Sequence, residues 1–150
     1  MKKIVATNKK ANFNYFIENT MESGICLLGS EVKSLRLGNV SIRESYVKVV
    51  ENELFLCNCH IGSYEKSNKF SHDALRPRKL LCHKKEIDRL VGKSKMQGYS
   101  IVPVSVYFNS KGIAKVDIGI GKGKKLFDKR QDLKTKEWNK VKSRLARRKI

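Results

Sequence analysis

Long apolar runs and a dense pattern of cysteines are both missing from this 150-residue sequence. Without a run of about eighteen apolar residues, no segment can cross a bilayer as a helix. The N-terminal MKKIVATNKK is positively charged but is not followed by the apolar stretch that a signal peptide needs. The four cysteines lack the spacing of a secreted disulfide scaffold. We therefore expect a cytoplasmic protein that has no membrane partner.

Acidic residues are scarce as well, because 14 Asp and Glu stand against 33 Lys and Arg, which leaves a net charge of +19. Such a field attracts polyanions, and nucleic acid is the leading candidate. Residues 122–150 contribute 13 − 3 = +10, and residues 1–121 contribute 20 − 11 = +9. The composition predicts an RNA-binding domain over residues 1–121, flexible over residues 1–7, and a basic tail over residues 122–150.

Hydrophobic patterns in residues 1–121 predict a mainly β domain. We expect three sequential hairpins, formed by residues 13–17 with 25–28, 46–50 with 54–59, and 101–108 with 113–120. Helical spacing appears after Ser30, up to Gly38, and again over residues 80–91. Six short antiparallel strands with two or three helices favour a closed barrel of the oligonucleotide-binding type, since closure removes exposed strand edges.

The tail carries an apolar stripe within a segment dominated by Lys and Arg. Leu133, Trp138, Val141 and Leu145 recur at roughly helical spacing. Because like charges repel and the stripe has no partner, an isolated helix here would be marginal in water. We expect a tail that is disordered when free and helical when phosphates neutralise it.

Catalysis finds little support. His72 and Asp73 follow Ser71, but adjacent residues rarely form an acid–base pair, and no nucleophile elbow, phosphate loop or paired carboxylates accompany them. The sequence therefore predicts a binding protein rather than an enzyme. In a basic loop, His72 is a candidate for an RNA contact or for a hydrogen bond within the loop.

Metal binding and cofactor binding are also not indicated. Cys57, Cys59 and His60 lie close together, and the Cys82–His83 pair could complete a ligand set. Structural zinc sites favour C-x(2–4)-C pairs at turns, whereas this C-x-C lies within a predicted strand. The two cysteines are more often small core residues.

A cationic stretch spans the middle of the chain, and its five candidate RNA contacts are Arg76, Arg78, Lys79, Lys84 and Lys85. Phosphates are natural partners for these side chains, especially for the planar donor fork of arginine. Lys84 and Lys85, with Arg89 and Lys93, could simply form a solvated helix face, which the three preceding cations extend. Tyr64 and Phe70 nearby are candidates either for base stacking or for the core.

Asn8 and Glu22 flank the first predicted hairpin in an otherwise cationic protein. A carboxylate that faces RNA repels phosphates, so it must accept hydrogen bonds from base amines or from a ribose 2′-OH. Composition alone favours a solvated turn residue for Glu22.

Three ordered stretches resemble one bacterial family. They are NKKANFNYFIENTMESGICLLGSEVKSLRLGNVSIRESYVKV, RPRKLLCHKKEIDRLVGK and KGKKLFDKRQDLKTKEW, which together run from about Asn8 to Trp138. The sequence is similar to small protein B, the partner of transfer-messenger RNA. The resemblance implies an oligonucleotide-binding-like barrel that grips the tRNA-like domain of that RNA and enters stalled ribosomes for trans-translation.

The resemblance also implies roles for particular residues. Asn8, Glu22 and Leu81 match family positions that contact the RNA. The tail would probe the empty messenger channel and contact small-subunit RNA, and the tail residues implied here are Lys122, Gly123, Lys124, Lys125, Asp128, Lys129, Arg130 and Trp138. Elongation factor Tu, carrying the aminoacylated RNA, is a further implied partner of what we expect to be a monomer.

The sequence departs from the family pattern at three positions. Phe13 stands where the family usually has His, so a ring remains for stacking but a hydrogen bond is lost. Phe127 replaces a His or Tyr before DKR, and Ala74 replaces a Pro after HD.

Two other classes of protein remain open. A ribosomal protein would also be small and basic, with a barrel and a tail, and would bind ribosomal RNA constitutively. A ribonuclease built on His72 would lose cleavage activity in the variant His72→Ala.

Overall fold

The computed structural model describes residues 2–63 and 72–148, with the side chains of 126–128 and 146–148 left aside. The described part contains four helices: α1 (Lys9–Asn14), α2 (Gly29–Arg36), α3 (Lys84–Ser94) and α4 (Leu126–Arg148). Its strands are β1 (Lys3–Thr7), β2 (Tyr15–Ile25), β3 (Val40–Ser41), β4 (Tyr46–Val50), β5 (Glu53–Cys57), β6 (His60–Ile61), β7 (Arg78–Leu81), β8 (Tyr99–Phe108) and β9 (Ala114–Gly123). The predicted mainly β class is confirmed.

Seven strands form one antiparallel sheet in the order β1-β8-β9-β2-β7-β5-β4, and β3 pairs with β6. The sheet curves enough to bring β4 against β8. In the part of the chain that the structure describes, however, the hydrogen-bonded ladder ends at β1 and at β4. The predicted closed barrel of six strands is therefore not found, and an open, curved sheet of seven strands takes its place.

The first predicted hairpin was wrong. Residues 9–14 form α1, and residues 15–25 form the single strand β2, which pairs with β9 from Tyr15↔Gly123 to Gly24↔Lys115. Close approach of the two strands depends on glycine, since a Cβ at position 119 would lie 2.7 Å from the Asn19 carbonyl oxygen. The polar run that was expected to form a turn lies within this long strand, with Glu22 exposed and Ser23 buried.

The other two predicted hairpins were correct, whereas the predictions for residues 3–7 and for the start of the second helix were not. The hairpins of residues 46–50 with 54–59 and of 101–108 with 113–120 are present as β4–β5 and β8–β9. Residues 3–7, predicted to be flexible, form β1 and pair with β8. The helix predicted from residue 80 begins only at Lys84, because Leu80 and Leu81 pair in the sheet as part of β7.

The core fills the concave side of the sheet and is closed by α2 and α3. Leu35 comes from α2, Leu90 from α3, and the strands supply most of the rest. Cys57 and Cys59 are both buried, as expected of small core residues. The first residues assigned to the tail, Lys122 and Gly123, belong to β9 instead, and the chain leaves the sheet just before α4.

Candidate nucleic-acid interface

Strand β7 divides the central cationic stretch into two sides. Arg78 and Leu80 are almost fully buried, whereas Leu81 is 50% exposed. Successive residues of a strand point to opposite faces of the sheet, so Lys79 and Leu81 share the outer face. The cations of RPRK therefore have different surroundings, although they are neighbours in the sequence.

Arg78 is an interior residue. Its Nε donates a hydrogen bond to the Glu31 carboxylate, and its Nη1 donates to the Cys59 carbonyl at 2.7 Å. Neither Arg78 nor Glu31 has an exposed side chain. A guanidinium without accessible surface cannot contact RNA, so the prediction of Arg78 as an RNA contact is corrected. Arg78 instead joins α2 to β7.

Glu31 is the centre of this buried cluster. It accepts a second charged hydrogen bond from Arg76 Nη2 at 2.5 Å and another from the Leu28 N–H at 2.8 Å. Burial alone raises the pKa of the Glu31 carboxyl, but the hydrogen bonds from Arg76, Leu28 and Arg78 outweigh burial and hold that pKa below its ordinary value. Arg76 is two-thirds buried and committed to this cluster, which leaves only part of it for RNA.

The outer face brings Glu22 and Leu81 together. Gly24 of β2 lies opposite Leu81 of β7 and opposite Lys115 of β9, and a Cβ at position 24 would lie 3.1 Å from the Leu81 Cβ. Glu22 is two residues from Gly24 on the same face. These residues, with His83, line a shallow cavity of about 410 Å³.

The Glu22 side chain has a charged neighbour but remains accessible to solvent. Its carboxylate lies 3.7 Å from the ammonium of Lys115, and half of its side chain remains accessible. Burial, assisted by the Glu22 and Asp117 carboxylates, raises the pKa of the Tyr107 hydroxyl, which therefore stays protonated as a donor. An exposed acceptor beside an apolar leucine can recognise a base amine or a 2′-OH.

Lys84 and Lys85 extend this surface as the first residues of α3, and both are exposed. Lys79 lies on the same outer face, and its ammonium forms an ion pair with the Glu53 carboxylate at 3.2 Å. Three of the five predicted cations of the central stretch thus stay accessible beside Leu81.

Asn8 is placed differently from Glu22 and Leu81. It is only 5% exposed, its N–H donates to the Val104 carbonyl at 2.8 Å, and its side-chain Nδ2 donates to the Pro103 carbonyl at 3.0 Å. These two hydrogen bonds attach the start of α1 to β8. Asn8 lies in the interior beside β8, not on the outer surface that holds Glu22.

His72 makes hydrogen bonds within the protein. Its Nε2 lies 2.8 Å from the Ile61 carbonyl oxygen, and its Nδ1 lies 2.8 Å from the Ser30 hydroxyl. Since a carbonyl only accepts, Nε2 carries the proton and Nδ1 accepts from Ser30. Of the predicted alternatives, the loop hydrogen bond is the one present. Tyr64 and Phe70 lie outside the described residues.

The three lysines of GKGKK also have unequal surroundings. Lys122 and Lys125 are exposed, whereas the Lys124 side chain is 8% exposed. Its ammonium donates to the Asn12 carbonyl at 2.7 Å and to Asp132 of α4. Lys124 thus attaches α4 to α1, whereas Lys122 and Lys125 are exposed to solvent.

Helix α4 contacts the body through its first turns. The Lys129 and Lys136 ammonium groups lie 5.9 and 5.7 Å from the centre of the Phe13 ring. Arg130 is exposed, as are the predicted stripe residues Leu133, Trp138, Val141 and Leu145. The side chains of Phe127 and Asp128 lie outside the described residues.

Sequence reasoning missed Lys115 and Tyr107 as neighbours of Glu22. The alternation along residues 113–120 places odd-numbered residues, including Lys115, on the outer face. Only the register of β2 against β9 shows that Lys115 and Glu22 meet. Within residues 2–63 and 72–148, no cluster of His, Cys, Asp and Glu has the composition of a metal site. None of the described helices is long and apolar enough to cross a membrane.

Comparison with known proteins identifies the family of the chain. The family profile described as SmpB protein matches residues 5–148. The SsrA-binding protein of Rickettsia bellii is 57% identical over 148 residues, covering 99% of this chain and 98% of its own length. The SsrA-binding protein of Rickettsia conorii is 55% identical, covering 99% of this chain and 97% of its own length.

A solved structure described as "tmRNA-SmpB: a journey to the center of the bacterial ribosome" contains a similar chain. The two chains superpose with a TM-score of 0.67 at 45% identity, covering 80% of this chain and 84% of the other. With the profile match along nearly its whole length, the chain belongs to the SmpB family of SsrA-binding proteins.

Proposed function

We propose that this protein binds the tRNA-like domain of transfer-messenger RNA and delivers it to stalled ribosomes for trans-translation. The observation that carries the proposal is the 57% identity, over 99% of the chain, to an SsrA-binding protein. The similar chain in a structure of tmRNA, SmpB and the ribosome supports both partners. RNA binding alone meets the demands of this role, and no catalytic step is required of the protein.

The outer face of the sheet is the proposed RNA grip. Glu22 supplies an exposed carboxylate acceptor and Leu81 an exposed apolar contact, within one cavity. Lys79 and Lys84 line the neighbouring cavity, which also contains Leu81, and with Lys85 they would bind phosphates. Carboxylate and leucine cannot bind phosphates, so they would supply selectivity while the lysines supply affinity.

Asn8 fits this role indirectly. Its side chain is buried and bonded to β8, so its contribution to RNA binding would be to hold α1 in place. Lys9 is exposed on α1 and would be displaced if that anchor were lost.

The tail is the segment proposed to contact the ribosome. Lys122, Lys125, Lys129, Arg130 and Trp138 would contact small-subunit RNA, with Gly123, Lys124 and Asp132 at the junction with the body. Among the described side chains of α4 beyond Lys136, Lys140, Lys142 and Arg144 are exposed cations and Glu137 is an exposed carboxylate. Such a helix is stabilised when phosphates neutralise it, so folding of the tail would be conditional on the ribosome.

The same role extends to the setting of the protein. We propose that it acts in the cytoplasm as a monomer, together with elongation factor Tu carrying the aminoacylated RNA. An oligonucleotide-binding-like sheet suits this function whether or not its ends close, since Glu22, Leu81 and Lys79 all lie on its outer face.

The decisive experiment is to sequence the RNA that co-purifies with the tagged protein. We expect one abundant small RNA, transfer-messenger RNA, in a free pool as well as on ribosomes. Recovery of ribosomal RNA alone, at fixed stoichiometry with one subunit, would contradict the proposal and favour a constitutive ribosomal protein.

Truncation separates the two binding elements. Because β9 runs to Gly123, the chain should be ended after Lys125 so that the sheet is left intact. The truncated protein is expected to bind transfer-messenger RNA but to fail in tagging nascent chains on stalled ribosomes. Equal loss of both activities would mean that α4 belongs to the RNA grip.

A further inference from the structure

A row of three side chains crosses the outer face of the sheet beyond the Glu22–Leu81 cavity. Lys48 of β4 lies directly opposite Phe55 of β5, and Phe55 lies directly opposite Lys79 of β7. Directly opposed residues have Cβ atoms about 4.5–5.5 Å apart and point to the same side. An aromatic ring is therefore flanked by a lysine on each neighbouring strand.

Phe55 is not placed there by the core. Its strand neighbours Leu54 and Leu56 are 0% exposed and point to the concave side, so Phe55 points away from it. Phe55 remains partly accessible, and the main contacts of β5 are with its neighbouring strands β4 and β7. A ring in this position is a platform on which another planar group can stack.

The two lysines differ in how firmly they are held. Lys48 is exposed and forms no ion pair with the residues that the structure describes. Lys79 donates to Glu53 at 3.2 Å, but both side chains are nearly half exposed. Exposed pairs of this kind contribute little, so a phosphate can compete for Lys79.

The row is continuous with the proposed RNA grip. Lys79 and Leu81 lie two residues apart on one strand, which is about 6.6–6.8 Å along β7. Bases stack on aromatic side chains while nearby cations track the phosphate backbone. A strand of RNA bound at Glu22 and Leu81 thus has a stacking platform and two phosphate partners immediately beside it.

We propose that Phe55 stacks with an unpaired base of the bound RNA, and that Lys48 and Lys79 bind the phosphates next to that base. The occupant is a single-stranded nucleotide, because a base inside a duplex has no free face for the ring. This inference rests on the proposed function and extends its RNA site from β2 and β7 onto β5 and β4.

The first test measures affinity for a transcript of the tRNA-like domain of transfer-messenger RNA at several salt concentrations. Because Phe55→Leu can no longer stack with a base, its affinity for the transcript should fall by about 5- to 150-fold. Phe55→Trp keeps a ring and should bind as tightly as the parent. Lys48→Met should lower the slope of log affinity against log salt by about 0.7, as expected for one lost contact to a single-stranded phosphate.

Matched controls lie on the other side of the molecule. Helix α2 packs on the concave side, where Glu31 meets Arg78, so Arg36→Ala and Leu37→Ala remove an exposed cation and an exposed apolar side chain away from the row. Both controls should keep the parent affinity and salt slope. A thermal melt of each variant checks that it is folded.

The second readout does not depend on a loss of affinity. Phe55→Trp adds a fluorophore to a chain whose other tryptophan is Trp138. After subtraction of the parent signal, stacking predicts quenching of the added tryptophan on titration with the transcript. Unquenched fluorescence, or an unchanged affinity of Phe55→Leu while Glu22→Ala is weakened, would overturn the inference. Failure of the parent protein itself to bind would instead overturn the proposed function.

Discussion

The two faces of strand β7 place adjacent cations in opposite environments. On the concave side, Arg78 is fully buried and bonded to Glu31, and its removal would take from the buried Glu31 carboxylate one of its two guanidinium partners. On the outer side, Lys79 is partly exposed and shares a screened contact with Glu53. Pleating of the strand, not the type of residue, decides which cation stabilises the fold and which can meet RNA.

The tail junction shows the same difference between neighbours. Lys124 is surrounded by the Asn12 carbonyl, Asp132 and the ring of Phe16, whose centre lies 4.9 Å from the ammonium. Lys125 beside it is exposed. A basic motif in this protein is therefore a mixture of structural and solvent-facing charges, and variants must be chosen by face.

The largest effect is expected on the concave side. Arg78→Met should lower the free energy of unfolding by about 3–5 kcal/mol, because Glu31 would lose its buried partner. Urea denaturation measures the change. Lys79→Met is the matched control and should stay within about 0.5 kcal/mol of the parent, as is usual for surface positions. A loss below about 1 kcal/mol in Arg78→Met would break the distinction between the two faces.

On the outer face, Glu22→Ala should change binding rather than stability. The variant gains net positive charge, yet its affinity for the tRNA-like domain should fall by about 1.5–3 kcal/mol because charged hydrogen bonds are lost. Glu137→Ala makes the same change of charge on α4 and should bind at least as well as the parent. If the affinity of Glu22→Ala is unchanged or higher, Glu22 does not contact RNA.

The variant Asn8→Ala tests whether this interior residue of the family motif supports RNA binding by stabilising the fold. Asn8→Ala removes the hydrogen bond to the Pro103 carbonyl and should cost about 1–3 kcal/mol of stability, measured by urea denaturation. Asn12→Ala, at an exposed position of the same helix, should leave stability nearly unchanged. Full stability of Asn8→Ala with a loss of RNA affinity would show that Asn8 contacts RNA directly.

The smallest and most gradual effect is expected in acid. Because the folded protein holds the pKa of Glu31 below its ordinary value, the ionised cluster stabilises the fold above that ordinary value, which is about 4.3. This contribution is lost as the pH falls toward the lower pKa of the folded state. Thermal melts from pH 7 to pH 3 should show a shallower acid loss in Glu31→Gln, and identical profiles would contradict the assignment.

Local structure was predictable where local signals decide it. The hairpin of β4 and β5 could be predicted from alternating residues on both sides of a polar turn, and that turn has positive φ at Glu51 and Asn52. Strand β2 could not be predicted, since its polar outward residues are typical of a loop when taken alone. Its pairing with β9, more than ninety residues away, is what makes it a strand.

The candidate site followed a similar division. Glu22 and Leu81 could be identified from family motifs, and the structure adds that they share one cavity. Arg78 was predicted as an RNA contact because an arginine in a basic run offers a phosphate fork, but burial against Glu31 is a tertiary fact. Phe55 and Lys48 carry no motif, and their juxtaposition with Lys79 depends on strand register.

Composition and local pattern alone predicted a basic RNA binder with a mainly β body and a cationic C-terminal segment, since net charge and side-chain periodicity are properties of the chain itself. Tertiary structure decided which charges face the solvent. Sheet pairing turns Arg78 inward, brings Lys48, Phe55 and Lys79 into one row, and uses Lys124 to attach α4. Burial and register depend on residues distant in the sequence, so no local pattern contains them.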